Sequence, residues 1–406
     1  RQIPPPEPEV TRMLYRRFGR TEIQMPVLSC GGMRYQHSWN DKDRISPGSQ
    51  RNVEACIARA LELGINHIET ARGYGTSEEQ LGHILPKLPR DRIIVQTKVG
   101  PEAEPKKFLE AFERSMKLLR LDHVDLFALH GVNDETRLSW SLRKGGCLDA
   151  ALELKRQGRV RAVGFSTHAP LRVIMAMVQD GRFDYMNLHW YYVNQAAWPA
   201  IQAAAERDMG VFIISPTDKG GRLYEPSDKL VRLCAPLSPI VFNDLFCLAR
   251  PEVHTISIGA ARPSDFDEHM KVLPLLEREG AAADALAPIL RRLDEGLERV
   301  LGRAWVDTWH VGLPEWEAVP GHVNIREILR LYNYVRAFDM TAYGKARYNL
   351  LGSGDHWFPG NRAERARELD LTQALAGAAQ RHRIPEVLAE AHALLAGQEV
   401  KRLGKH

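Results

Sequence analysis

Short runs of β-branched and other apolar residues recur along the chain as far as residue 258. They are Val27 to Cys30, Ile65 to Ile68, Ile93 to Val99, Val124 to Leu129, Val160 to Phe165, Tyr185 to Trp190, Val211 to Ile214 and Thr255 to Ile258. Near-continuous apolar runs of this length predict strands covered on both faces. Between them lie segments with one-face helical spacing, such as Val53, Cys56, Ile57, Ala60 and Leu61, or Phe108, Phe112, Met116 and Leu119. Eight such strands alternating with helices predict an α/β fold, a (β/α)8 barrel of the TIM type. An open doubly wound sheet fits less well, because no GxGxxG turn opens any of the helices. Ahead of the first barrel strand, two strand-like runs around Gly19 and Arg20 predict an N-terminal hairpin.

The pattern changes after about residue 276. Strand-like runs stop, and Leu286, Ile289, Leu290, Leu293, Leu297, Val300 and Leu301 form one helical stripe that Gly302 closes. Asn324 is placed to cap a second helix with Ile325, Ile328, Leu329, Tyr332 and Val335 on its buried side. Trp305, Trp309 and Trp316 lie in an irregular stretch that needs a surface to pack on, expected to be the barrel. The expected organisation is an extended proline-rich arm over 1–12, the barrel over 13–275 and an additional all-helical C-terminal domain over 276–406.

Composition narrows the class. The 406 residues are 44% hydrophobic and 26% charged, enough to bury a large core without staples. A net charge of +4, from 55 basic against 51 acidic residues, is too mild for a nucleic-acid footprint. The five cysteines, Cys30, Cys56, Cys147, Cys234 and Cys247, are scattered without metal-ligand spacing, so no metal site and a reducing compartment are expected. No run approaches the roughly 18 apolar residues that cross a bilayer, and no hydrophobic leader opens the chain. A soluble, cytoplasmic protein without a membrane partner is the expectation.

Chemistry in such a barrel belongs at the C-terminal ends of the strands. There the chain carries Glu69 and Tyr74 after the second strand, Lys98 on the third and His130 at the end of the fourth. A phenol is a poor acid at neutral pH until a nearby ammonium draws its pKa down. Tyr74 would exchange the proton, Lys98 would supply the charge, Glu69 would compensate it, and His130 would orient a substrate oxygen. That set suits interconversion of a carbonyl and an alcohol, with the hydride coming from a cofactor.

These residues make the sequence similar to the aldo-keto reductases. The family pattern Asp-Thr-Ala-x-x-Tyr-Gly stands here as Glu69-Thr70-Ala71-Arg72-Gly73-Tyr74-Gly75, followed in order by Lys98 and His130. The resemblance implies an NADP- or NAD-dependent oxidoreductase acting on a small carbonyl or alcohol. It also implies that Ser166 and Asn187 bind the nicotinamide carboxamide, that Ser215, Lys219 and Gly220 lie along the pyrophosphate, and that Glu268 approaches the adenine. The family's cationic 2′-phosphate grip falls on Gly259 and Asp265, which favours NAD unless Arg262 substitutes. Ile214 stands where an aromatic residue often stacks on nicotinamide. The helical tail, through Val319 to Ile325, resembles the ferredoxin-like extension of some members, but no cysteine follows Cys247, so no iron-sulfur cluster is expected.

For the substrate, Arg72 with Trp140, Arg143 and Lys144 suggests an anionic or sugar-like group, and Trp190 and Tyr191 are either a ligand wall or rim packing. The residues leave one alternative open: a catalytically weak, cofactor-binding redox sensor or regulatory protein. Glu69, one methylene longer than the family's aspartate, is the feature that separates the two.

Overall fold

A computed structural model describes residues 12–353 and 359–397 of the chain. The expected arm over 1–12 therefore lies outside the described residues except for Arg12. A hairpin of β1 (Tyr15–Arg17) and β2 (Gln24–Pro26) precedes eight parallel strands: β3 (Leu28–Gly31), β4 (His67–Glu69), β5 (Ile94–Val99), β6 (Val124–Leu129), β7 (Val160–Ser166), β8 (Tyr185–Leu188), β9 (Gly210–Ile213) and β10 (Thr255–Ile258). Each pairs with the next, and β10 returns to β3, which closes the barrel. The (β/α)8 architecture read from the apolar runs is the one observed, with strand ends shifted by one or two residues.

Apolar side chains facing the barrel axis make its lower plug. Phe18 from the hairpin is fully buried there among Met25, Ile94, Leu126, Tyr185 and Phe212. Gly210 opens β9 because a Cβ at that position would meet the Phe18 ring at 2.7 Å. Above this plug a polar layer crosses the interior: His67 Nδ1 meets Ser29 Oγ at 2.7 Å and its Nε2 meets Gln96 Oε1 at 3.0 Å. Every member is buried, and burial pulls the His67 imidazole down to about 3.

The C-terminal region is helical, as its spacing predicts. The long helix Ala281–Leu301 ends at Gly302, whose φ of +85° suits glycine, and Asn324 caps Ile325–Phe338 by accepting from the Glu327 N–H at 3.2 Å. One expectation needs correction. Trp305 packs inside the tail and not on the barrel, because its Nε1 finds Asn333 Oδ1 at 2.8 Å and its face takes the Arg383 guanidinium at 4.5 Å.

Other residues join tail to barrel. Arg330 donates to the Val193 carbonyl at 2.7 Å, Tyr343 to that of Lys219 at 3.0 Å, and Ser227 to that of Phe338 at 2.6 Å. These bonds moor the segments after β8 and β9 to the helical region. Among the described residues no single helix is long and apolar enough to cross a membrane.

Candidate active site

A cavity of about 420 Å³ opens at the C-terminal ends of the strands, and its lining includes Glu69, Arg72, Tyr74, Lys98, His130, Ser166, Ser215, Lys219 and Gly259. Local turns explain why the second strand's loop delivers Tyr74 there. The Thr70 N–H bonds to the Gln96 carbonyl and the Arg72 N–H to the Lys98 carbonyl, both at 2.8 Å, so the loop continues the sheet pairing past β4. Gly75 then turns with φ +53°, where a Cβ would strike the Ser38 carbonyl at 1.9 Å.

The Lys98 ammonium is buried and ion-paired with Glu69 Oε1, and it also donates to the Thr70 carbonyl at 2.8 Å. Burial pulls this amine below the usual lysine range, although the Glu69 carboxylate pulls the other way. Lys98 Nζ lies 4.8 Å from the centre of the Tyr74 ring. The Tyr74 hydroxyl donates to the same Glu69 Oε1 at 3.4 Å. His130 stands edge-on to Tyr74, with ring centres 5.6 Å apart. All four predicted catalytic side chains thus come together, with the longer Glu69 touching both the amine and the phenol.

The predicted cofactor residues divide. Ser166 lines the cavity, whereas Asn187, its partner across β7 and β8, lies behind the lining residues. Asn187 is fully buried, yet neither its amide nitrogen nor its amide oxygen has a hydrogen-bond partner. Such an orphaned amide asks for a ligand with one donor and one acceptor, which a carboxamide offers. Ser215, at φ +53°, begins a turn in which the Lys219 N–H returns to its carbonyl at 3.0 Å. Gly220 does not line the cavity; it is glycine because a Cβ would meet the Pro216 carbonyl at 1.8 Å.

Three further assignments change. Asp265 does not offer its carboxylate outward: Oδ2 accepts from the Ala261 N–H at 2.8 Å, and Oδ1 holds Arg262 Nε at 3.1 Å. Arg262, the expected substitute for a phosphate grip, is therefore engaged by Asp265. Glu268 is likewise occupied, by Ser238 Oγ at 2.6 Å and Lys271 Nζ at 2.5 Å.

The expected substrate residues are redistributed as well. Arg72 lines the cavity, but its charge is taken by the buried Glu78 and by Asp41 at 2.8 Å. Trp140, on the helix Glu135–Leu142, is not among the lining residues, and Arg143 bonds instead to the Ala103 carbonyl. Lys144 is exposed and also absent from the lining. Trp190 is core, stacked on Phe246 with ring centres at 4.8 Å. Tyr191 is buried, its hydroxyl given to the Ile214 carbonyl. For Trp190 and Tyr191 the packing reading applies.

Arg34 and His168 are among the lining residues that escaped the sequence reading. Arg34 donates to the Gly259 carbonyl at 2.6 Å and lies 4.3 Å over the Tyr224 ring, with Asp265 Oδ2 at 3.7 Å. His168 stands two residues past Ser166. Both follow the end of a barrel strand, and that position was the available signal. Among the described residues no three His, Cys, Asp or Glu side chains group as metal ligands.

Comparison with known proteins gives the same picture. The sequence pattern of the aldo/keto reductase family matches residues 27–229. The L-glyceraldehyde 3-phosphate reductase of Escherichia coli is 28% identical over 177 residues, a match spanning 40% of this chain and 47% of that enzyme. The NADH-specific methylglyoxal reductase of the same organism is 27% identical over 70% of this chain and 98% of its own length. Among solved structures, a holo aldo-keto reductase of Bacillus halodurans superposes with a TM-score of 0.56 at 23% identity, covering 69% of this chain and 96% of that one. An aldo-keto reductase of Klebsiella pneumoniae in complex with NADPH gives 0.55 at 18% identity, over 67% and 94%. Barrel, strand-end residues and matched sequence agree: this chain belongs to the aldo/keto reductase family.

Proposed function

We propose that this chain is an NAD(P)H-dependent carbonyl reductase in which Tyr74 exchanges a proton with the substrate oxygen. What carries the reading is the convergence of Glu69, Lys98, Tyr74 and His130 on one cavity. The orphaned Asn187 amide fits the carboxamide of a nicotinamide coenzyme, which when bound supplies the hydride. Ser166 and Asn187 would hold that carboxamide, and Ser215 and Lys219 would lie along the pyrophosphate. Tyr74 gives its proton to the carbonyl oxygen as negative charge develops there, and His130 orients that oxygen. The buried Lys98 offsets the charge left on the phenol, and Glu69 keeps the ammonium from standing uncompensated.

The relatives' names support a small aldehyde or sugar-like substrate: a triose phosphate for one, methylglyoxal for another. For the coenzyme, the engagement of Arg262 by Asp265 supports NADH used at least as well as NADPH.

A second reading, the catalytically weak redox sensor, rests on the shared Glu69 oxygen, since a carboxylate on the phenol opposes loss of its proton. Tyr74→Phe separates the two. A reductase loses on the order of 10²-fold or more in kcat while coenzyme affinity persists. A variant with near-normal turnover, or a wild type that binds coenzyme and reduces nothing, removes the reductase reading.

A further inference from the structure

The turn after β9 carries Ser215 and Lys219, both assigned above to the coenzyme, and its shape is not one that its own residues favour. Ser215 stands at φ +53°, in the left-handed region that side chains seldom enter. A strained residue of this kind persists where its surroundings over-determine it. Inside the turn, the Lys219 N–H returns to the Ser215 carbonyl at 3.0 Å and the Leu223 N–H to the Thr217 carbonyl at 2.8 Å. Side chains from two other elements complete the hold. Asn243, on the barrel helix Pro239–Leu248, donates from Nδ2 to the Pro216 carbonyl at 3.0 Å. Tyr343, on the tail helix Thr341–Tyr348, donates to the Lys219 carbonyl at 3.0 Å.

The bond from the tail has a fixed direction. A phenol carries one proton, and a guanidinium can only donate. Arg330 Nη1 lies 3.0 Å from Tyr343 Oη, so that oxygen accepts from Arg330 and its single proton goes to Lys219. Arg330 is itself held by the Glu327 carboxylate and by the Val193 carbonyl at 2.7 Å. Tyr343 and Arg330 are both buried, which keeps water from competing for these bonds. Ser215 and Lys219 line the catalytic cavity, so the turn held in this way faces the ligand.

We propose that Tyr343 is a positioning residue of the coenzyme site: acting through the Lys219 carbonyl, it lets the helical region hold the turn from Ser215 to Gly220 in the shape that receives the coenzyme's pyrophosphate. This rests on the coenzyme reading of the same cavity. A site already in its bound shape loses no affinity to reorganisation, so the tail serves the coenzyme without touching it.

Tyr343→Phe tests this, because it deletes one hydroxyl and keeps the ring. Affinity is measured on the full chain by fluorescence titration with NADH and by calorimetry with ADP-ribose, which keeps the pyrophosphate and lacks the nicotinamide. Both ligands are expected to bind about 10-fold more weakly in the variant, the scale of one net hydrogen bond. At saturating NADH, kcat is expected to stay within about 2-fold. Tyr332→Phe is the control: it removes a tail hydroxyl that donates to Glu390 at 2.5 Å and is expected to leave both affinities unchanged. Unchanged affinities in Tyr343→Phe overturn the proposal, and so does an equal loss in Tyr332→Phe, the mark of a general loosening of the tail.

A second measurement needs no variant. Linkage requires that ADP-ribose in turn strengthen the tail's bond, so it is expected to slow amide hydrogen exchange in the helix Thr341–Tyr348 of the wild type. An unchanged rate there overturns the proposal. A wild type that binds NADH and reduces nothing removes the reductase reading alone and leaves both measurements in force. A wild type that binds neither NADH nor ADP-ribose removes the coenzyme reading and this proposal with it.

Discussion

The Tyr74 hydroxyl lies 3.4 Å from Glu69 Oε1, the very oxygen that pairs with the Lys98 ammonium. An aspartate one methylene shorter would reach the lysine or the tyrosine less easily, so the glutamate places negative charge beside the proton donor. Glu69→Asp is expected to raise kcat by about 3- to 10-fold, the scale of one screened charge interaction of roughly 1 kcal/mol. Steady-state rates for a common aldehyde check it; a fall in kcat would mean that Glu69 aids the chemistry.

Arg72 belongs to the scaffold more than to the ligand. It faces Glu78, whose side chain is fully buried and whose carboxyl burial pushes up despite the arginine. Removing the arginine strands that charge. Arg72→Ala should cost about 3 kcal/mol of stability at neutral pH, and less near pH 5, where Glu78 can take a proton. Urea unfolding at both values tests this, and an unchanged midpoint would return Arg72 to the substrate.

Coenzyme choice follows from Asp265. With both carboxylate oxygens engaged by Ala261, Arg262 and the neighbouring Arg34, the loop has no cation held ready for a 2′-phosphate. NADH and NADPH should bind within about 10-fold of each other, and Arg262→Ala should change that ratio little. Fluorescence titration of both coenzymes measures it. NADPH binding that is much tighter and depends on Arg262 would show that the ion pair opens for phosphate.

The interior polar layer gives the fold an acid limit. His67 titrates at about 3 in the folded barrel against an ordinary 6.5. The unfolded chain therefore binds a proton that the native state refuses, and stability falls as pH drops from 6.5 toward 3. The shift amounts to on the order of 5 kcal/mol at full extent. His67→Gln should flatten the acid side of the stability profile, as read by denaturant midpoints between pH 7 and 4. An unaltered slope would assign the acid sensitivity to other groups, such as His254, which burial also pulls down, to about 4.

Much of this was legible along the chain because each barrel strand is apolar on both faces and its loop carries the chemistry immediately after it. Glu69, Tyr74, Lys98 and His130 could be found by their distance from a strand end. Charges whose partners come from elsewhere could not. Nothing near Arg72 in sequence announces Asp41, whereas the pairing of Arg262 with Asp265, three residues on, could be foreseen from the sequence. The aromatic residues were ambiguous for a related reason: Trp190 read as ligand wall or rim packing and Trp305 as packed on the barrel, and only their neighbours Phe246 and Asn333 decide.

The bonds from Arg330 to Val193 and from Tyr343 to Lys219 have a kinetic meaning. A loop that must fold over its ligand adds a slow isomerisation after encounter, and release then waits for that loop to open. Here the segments after β8 and β9 are tied down by the tail, so their ordering entropy is met when the chain folds. Arrival and departure at this mouth are accordingly expected to lack a slow isomerisation step, with the helical region acting as a splint for these two segments.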